Sequence, residues 1–185
     1  YQNSVKPIDS KTSHAQNEAL ALDIAIIGMA GRFPGAKNLD EFWHNLRNGI
    51  ESVKFFTDEE LLKMGVEAEL LRNPGYVKAA PVLEGVTDFD AEFFNLSPGE
   101  AQILDPQRRL FLECGWEALE DAGYDPDKYE GPIGVYAGAG FNGYLIYNLA
   151  QSNQLGKKFD EQQVLISSDK DHLPTHLSYR LNLRG

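Results

Sequence analysis

Thiols are almost missing from this 185-residue sequence, in which Cys114 is the single cysteine. One thiol forms no internal disulfide, so no disulfide framework is expected and a reducing, cytoplasmic compartment is the default reading. Long apolar runs are missing too. The longest candidate, LDIAIIGMAG at residues 22–31, falls far short of the roughly 20 residues that a membrane-spanning helix needs. The opening YQNSVKPIDSKTSHAQ lacks the basic-then-apolar order of a secretory leader. Positive charge is also scarce, with 17 Lys and Arg against 28 Asp and Glu and a net charge of −11. Residues 84–130 hold thirteen acids and three bases, so that one segment supplies −10 of the −11. Such a surface repels phosphate backbones and anionic lipids, which argues against nucleic acid and membrane as partners. Solubility accounts for most of these carboxylates.

What is present is enough apolar residue for a core, 42% of the chain, in a length that suits one domain. Residues 1–21 are polar and aperiodic and read as a linker or tail. Order is expected from residue 22. Ile24, Ala25, Ile26 and Ile27 form a continuous apolar run stopped by Gly28, the pattern of a strand buried on both faces. NLDEFWHNLRNG reads as a helix capped by Asn38 or Asp40 and ended by Gly49, and TDEELLKMG repeats that grammar with Thr57 or Asp58 as cap and Gly65 as stop. Residues 66–96 are irregular, with short strands near GYVKAAPV and a buried aromatic cluster in FDAEFFNL. LSPGEAQIL carries a capping box, Ser97 with Glu100, and Pro98 at the first helical position. In LDPQRRLFLECGWEALEDAG, Asp105 caps, Pro106 takes the first turn and Gly123 closes the helix. A second buried strand is expected from Ile133 to Ala137, running into the glycine-rich GAGFNGY, then a helical GYLIYNLAQ and a last helix in DKDHLPTHLSYRLNL with Pro174 near its start. Buried strands alternating with amphipathic helices predict a layered α/β fold.

The lone cysteine is read as packing. Phe111, Cys114, Ala118 and Ala122 fall on one helical stripe, widened by Leu112, Gly115, Trp116 and Leu119, while Arg109, Glu113, Glu117, Glu120 and Asp121 take the opposite face. A reactive thiolate needs a helix N-terminus or a cation beside it, and apolar surroundings push the other way. His172 and His176 are spaced i, i+4, without the glutamate or third ligand of a zinc site and with Pro174 between them, so no metal is expected. GMAGRFPG has the wrong spacing for a dinucleotide loop. GAGFNG matches G-x-G-x-x-G after an expected strand, which leaves a nucleotide-binding reading open against that of a turn passing close to a pocket or a neighbouring subunit.

Taken together, DIAIIGMAGRFPGA, LDEFWHNLRNG, FDAEFFNLSPGEAQILDPQRRLFLECGWEALEDAGY, GPIGVYAGA and DKDHLPTHLSYRLNLRG resemble the opening of a β-ketoacyl synthase (ketosynthase) domain of a modular type I polyketide synthase. The match runs in unbroken order from Leu22 to Gly185, and the D-P-Q-x-R helix start and G-R-F-P-G turn are its most specific parts. The resemblance implies an incomplete N-terminal part of a thiolase-like, five-layer αβαβα fold, with residues 22–185 as that portion. It implies an acyltransferase parent that performs decarboxylative Claisen condensation and works as a homodimer. Its substrates arrive on the phosphopantetheine of an acyl carrier protein, with no cofactor bound directly. The family's reactive cysteine lies in a T-A-C-S type motif just after the segment matching LSYRLNLRG, and its two histidines lie further on. No catalytic residue is therefore assigned to this chain, which is expected to be inactive alone. His176 stands where family members usually carry arginine. By resemblance GAGFNGY lines the acyl tunnel, giving Phe141, Asn142 and Tyr144 as substrate-binding residues, with Phe141 at a position that limits chain depth. SSDKD, residues 167–171, is placed at the tunnel entrance. Arg108 and Arg109 read either as docking residues for an acidic carrier or as a solvated helix face with capping salt bridges. The partners implied are the acyl carrier protein and the remainder of the ketosynthase. The rival reading is a non-catalytic interaction or dimerisation piece, or half of a split synthase.

Overall fold

The computed structural model describes residues 24–152 and 159–185, so the expected tail over residues 1–21 lies outside the described residues. Helix α1 (Leu39–Asn48) forms as its end signals dictate. The Asn38 side chain accepts from Glu41 N–H, and Gly49 ends the helix in the left-handed region at φ 61°, which glycine adopts without a Cβ penalty. Strand β1 (Val53–Phe55) follows, then α2 (Asp58–Lys63) with a complete Thr57–Glu60 capping box. A single turn, α3 (Ala68–Leu71), precedes strand β2 (Ala79–Pro81). β1 and β2 pair antiparallel, with Val53 opposite Pro81 and Phe55 opposite Ala79.

The body of the chain is helical. α4 (Pro98–Ile103) carries the Ser97–Glu100 capping box, and α5 (Pro106–Asp121) starts behind the Asp105 cap. The stretch after Gly143 forms a π turn at Leu145–Leu149 and a 3₁₀ turn at Ala150–Ser152, where an α-helix was expected. Helix α6 (Glu161–Ser168) was not foreseen in the sequence. After a 3₁₀ turn at Lys170–His172, α7 (Leu173–Arg180) closes the order with Pro174 in its first turn. Two apolar clusters hold these pieces. Phe94, Leu96, Leu104, Leu112, Leu177 and Leu181 form the larger, between α5 and α7, and Ile103, Leu149, Phe159 and Val164 form the smaller, between α4 and α6. The expected aromatic cluster divides. Phe94 is buried, whereas Phe93 is half-exposed and sets its edge against Phe94 and Trp116.

Both expected core strands are corrected. Residues 24–28 make no ladder, and Ile24 and Ile26 are 94% and 79% exposed. Residues 131–140 run with alternating burial. Ile133 and Val135 turn inward, but Tyr136 is 97% exposed, so one face is covered instead of two. The physical reason is that a strand is defined by a hydrogen-bonded neighbour, and the described residues offer these two segments none. What fixes the first of them is α5. Met29 N–H donates to Asp121 Oδ2 at 2.8 Å, and the Arg32 guanidinium forms a two-pronged ion pair with Glu117. Gly28 lies so close that a Cβ there would come within 2.7 Å of the Ala122 nitrogen and also meet the Ala118 carbonyl oxygen. Because those atoms are helix backbone, they cannot move aside. Gly28→Ala is therefore expected to destabilise the fold by about 1–3 kcal/mol in chemical denaturation, while an unchanged midpoint would show that this segment does not depend on its contact with α5.

Candidate functional site

The first turn of α5 gathers the polar side chains around which the glycine-rich turn is built. Asp105 is buried. Its carboxylate accepts from Gln107 N–H at 2.8 Å and so satisfies one of the free donors of the helix start. Gln107 points toward the turn at residues 138–144. Its Oε1 accepts from Gly140 N–H at 2.9 Å, and its Nε2 donates to the Phe141 carbonyl at 3.5 Å. Arg108 points the other way. It is only 4% exposed and donates to the carbonyls of Ile166 (2.7 Å) and His172 (3.5 Å). Burial pulls its guanidinium below the ordinary arginine value, against the pull of Asp105 and Asp169. The docking reading of Arg108 is therefore corrected. A guanidinium enclosed by α5, α6 and α7 meets no carrier. Arg109, half-buried, places its guanidinium carbon 5.7 Å from the centre of the Tyr144 ring.

The three residues expected to touch substrate share this turn but differ in how they are held. The Phe141 ring is 74% exposed. The Asn142 amide is held at both ends, with Nδ2 donating to the Ser168 carbonyl (2.8 Å) and Oδ1 accepting from Leu145 N–H (2.9 Å). The Tyr144 hydroxyl donates to the Gln102 carbonyl at 2.7 Å while the ring packs against the smaller apolar cluster. Ser168, in the stretch placed at the tunnel entrance, is buried at the end of α6. The same turn weakens the nucleotide reading. Gly140 N–H is taken by Gln107, Gly143 N–H by the Phe141 carbonyl at 2.9 Å, and a π turn follows in place of the helix N-terminus that a pyrophosphate needs.

The remaining titratable candidates are structural. Cys114 sits in the middle of α5, half-buried, and burial pushes its thiol up, with Arg32 opposing and Glu117 and Glu113 reinforcing. His176 is held neutral at about 4 by burial first and then by Arg108 and Arg180, and its Nε2 accepts from Arg180 Nε at 3.2 Å. Arg180 also donates to the Phe94 and Asn95 carbonyls. Among the described residues, no group of three or more His, Cys, Asp or Glu side chains can hold a metal ion, and no helix is long and apolar enough to cross a membrane. The contribution of Gln107 escaped the sequence reading because its partners lie over thirty residues away. Helix α6 left a usable signal, an Asp160 cap followed by Val164 and Ser168 at i, i+4.

The chain matches the family model described as β-ketoacyl synthase, N-terminal domain, over residues 21–185. It is 48% identical over 168 residues to a phenolphthiocerol/phthiocerol polyketide synthase of Mycobacterium tuberculosis, covering 88% of this chain and 11% of that protein. It is 38% identical over 162 residues to polyketide synthase PksN of Bacillus subtilis, covering 88% of this chain and 3% of that one. Among solved structures it resembles ketosynthase twelve of the bacillaene polyketide synthase of Bacillus amyloliquefaciens, at a TM-score of 0.74 and 41% identity over 87% of this chain and 28% of that one. The ketosynthase of module 1 of the same organism's bacillaene synthase gives 0.70 and 36% over 87% and 27%. The chain thus spans a small part of each relative's length.

Two measurements check the assignments of Cys114 and His176. Iodoacetamide at mildly alkaline pH is expected to alkylate Cys114 several-fold more slowly than free cysteine, because less of it is thiolate; a faster reaction marks an activated thiol. His176 is neutral when folded, so the unfolded chain binds the extra proton between the ordinary 6.5 and about 4. Its contribution to stability is complete above that window and falls as the pH drops through it. His176→Gln keeps an acceptor for Arg180 and is expected to flatten the wild-type loss of stability across that range, and an identical slope in both proteins contradicts the assignment.

Proposed function

This chain belongs to the β-ketoacyl synthase family, as the N-terminal part of a polyketide synthase ketosynthase with a thiolase-like fold, and on that premise we propose that it supplies the scaffold and one acyl-pocket wall of a condensing acyltransferase. In the proposed reaction an acyl group passes from the phosphopantetheine thiol of an acyl carrier protein to an enzyme cysteine. A second carrier-bound, malonyl-type unit loses carbon dioxide, and the carbanion so formed attacks the acyl thioester carbonyl and expels the enzyme thiolate. The attacking sulfur belongs elsewhere in the homodimeric parent, and the chain by itself is inactive. The observation that carries this division of labour is the environment of Cys114, mid-helix and half-buried with its thiol pushed up, which is the opposite of an activated nucleophile. His176, neutral and tied to Arg180, takes no part in decarboxylation.

Within this role Phe141 is the wall against which an acyl chain ends, its ring 74% exposed. Asn142 lines the same pocket while holding the turn to α6 through Ser168. Tyr144 lines the pocket with its hydroxyl tied to the Gln102 carbonyl. Removing the ring lengthens the space available. In the ketosynthase that carries this chain, Phe141→Ala is expected to raise the ratio of kcat/KM for long over short acyl thioesters by about tenfold or more, the low end of what a single methylene in an apolar pocket commands. An unchanged ratio removes Phe141 from the pocket wall.

A further inference from the structure

We propose that Gln107 is a positioning residue for the acyl pocket, setting where the Phe141 ring stands by gripping the backbone on either side of the Gly140–Phe141 peptide. This rests on the reading of Phe141 as pocket wall and extends it to a residue that has no contact with the pocket itself. Within this chain the ring is 74% exposed, so its direction here depends on the backbone that carries it. That backbone is the least constrained in the chain by composition, with Gly134, Gly138, Gly140 and Gly143 within ten residues. No strand ladder restrains it. Two side chains supply the missing constraint. Asn142 ties the far side of the turn to the carbonyl end of α6. Gln107 ties the near side to the start of α5, with Oε1 accepting from Gly140 N–H (2.9 Å) and Nε2 donating to the Phe141 carbonyl (3.5 Å).

The Gln107 amide is itself oriented. Its backbone N–H is taken by Asp105 Oδ1 at 2.8 Å, and Nε2 lies 3.4 Å from Asp105 Oδ2, so the amide nitrogen faces the carboxylate and the amide oxygen faces Gly140. Only an amide satisfies both neighbours. A carboxylate at residue 107 keeps the acceptor for Gly140 but opposes Asp105 and offers the Phe141 carbonyl no proton. Gln107→Leu removes both arms, and Gln107→Glu removes one.

The test uses the ketosynthase that carries this chain and reads two quantities. In hydrogen–deuterium exchange, Gln107→Leu is expected to speed the amides of residues 138–145 by roughly fivefold, the effect of losing one net hydrogen bond, while α7 stays unchanged; Gln107→Glu is expected to retain the protection of Gly140. In acylation assays, Gln107→Leu is expected to shift the long-to-short kcat/KM ratio in the same direction as Phe141→Ala and to add little in the double variant. Unaltered exchange in Gln107→Leu overturns the clamp. Faster exchange with an unmoved chain-length ratio, in an enzyme where Phe141→Ala does move it, overturns the positioning role while leaving the Phe141 wall intact. If Phe141→Ala itself moves nothing, the wall reading fails, and the inference built on it falls too.

Discussion

The arrangement depends on one buried cation. Arg108 is enclosed where α5, α6 and α7 meet, and taking a guanidinium out of water costs several kcal/mol unless its donors are met. Two of them are met by main-chain carbonyls at Ile166 and His172, one in the last turn of α6 and one at the entry to α7, while Nε is buried without a partner among the described residues. The last carbonyls of a helix have no partners within it and carry the negative end of its dipole, so the cation satisfies α6 as much as α6 satisfies the cation. Asn142 takes the Ser168 carbonyl at the same helix end. The exposed glycine-rich turn and the buried arginine are thereby anchored to the same few residues.

From that anchor the first turn of α5 organises its surroundings residue by residue. Asp105 faces back to cap the helix, Gln107 reaches to the turn, Arg108 to α6 and α7, and Arg109 to the Tyr144 ring. The apolar side of the same helix carries Leu112 into the larger cluster, and its far end receives Gly28, Met29 and Arg32. A substitution in residues 105–109 is therefore felt in several segments at once. Cys114, on the same helix, contributes volume.

The candidate site was legible unevenly. The D-P-Q-x-R start was visible as a motif, and the carry-over from the family pointed to Phe141, Asn142 and Tyr144. That Asn142 is spent on Ser168, and that Gln107 holds the turn, were not visible, because both depend on which carbonyls lie opposite after folding. Arg108 reads in sequence as one of two adjacent surface cations on an amphipathic helix. Its burial follows from the placement of α6, some sixty residues later.

What the sequence determined by itself is whatever a few neighbouring residues can decide. The Asn38 and Thr57 caps, the Ser97–Glu100 box, the Gly49 stop and the Pro174 helix start all formed as read, because each is settled within one turn of backbone. The tertiary structure decided everything that needs a distant partner. Ile24–Ile27 and Ile133–Ala137 have the composition of buried strands and stand without a ladder, since strand pairing is a property of two segments and not of one. The same reason accounts for Arg108 turned inward, Gln107 turned to the glycine turn and Phe141 left facing out.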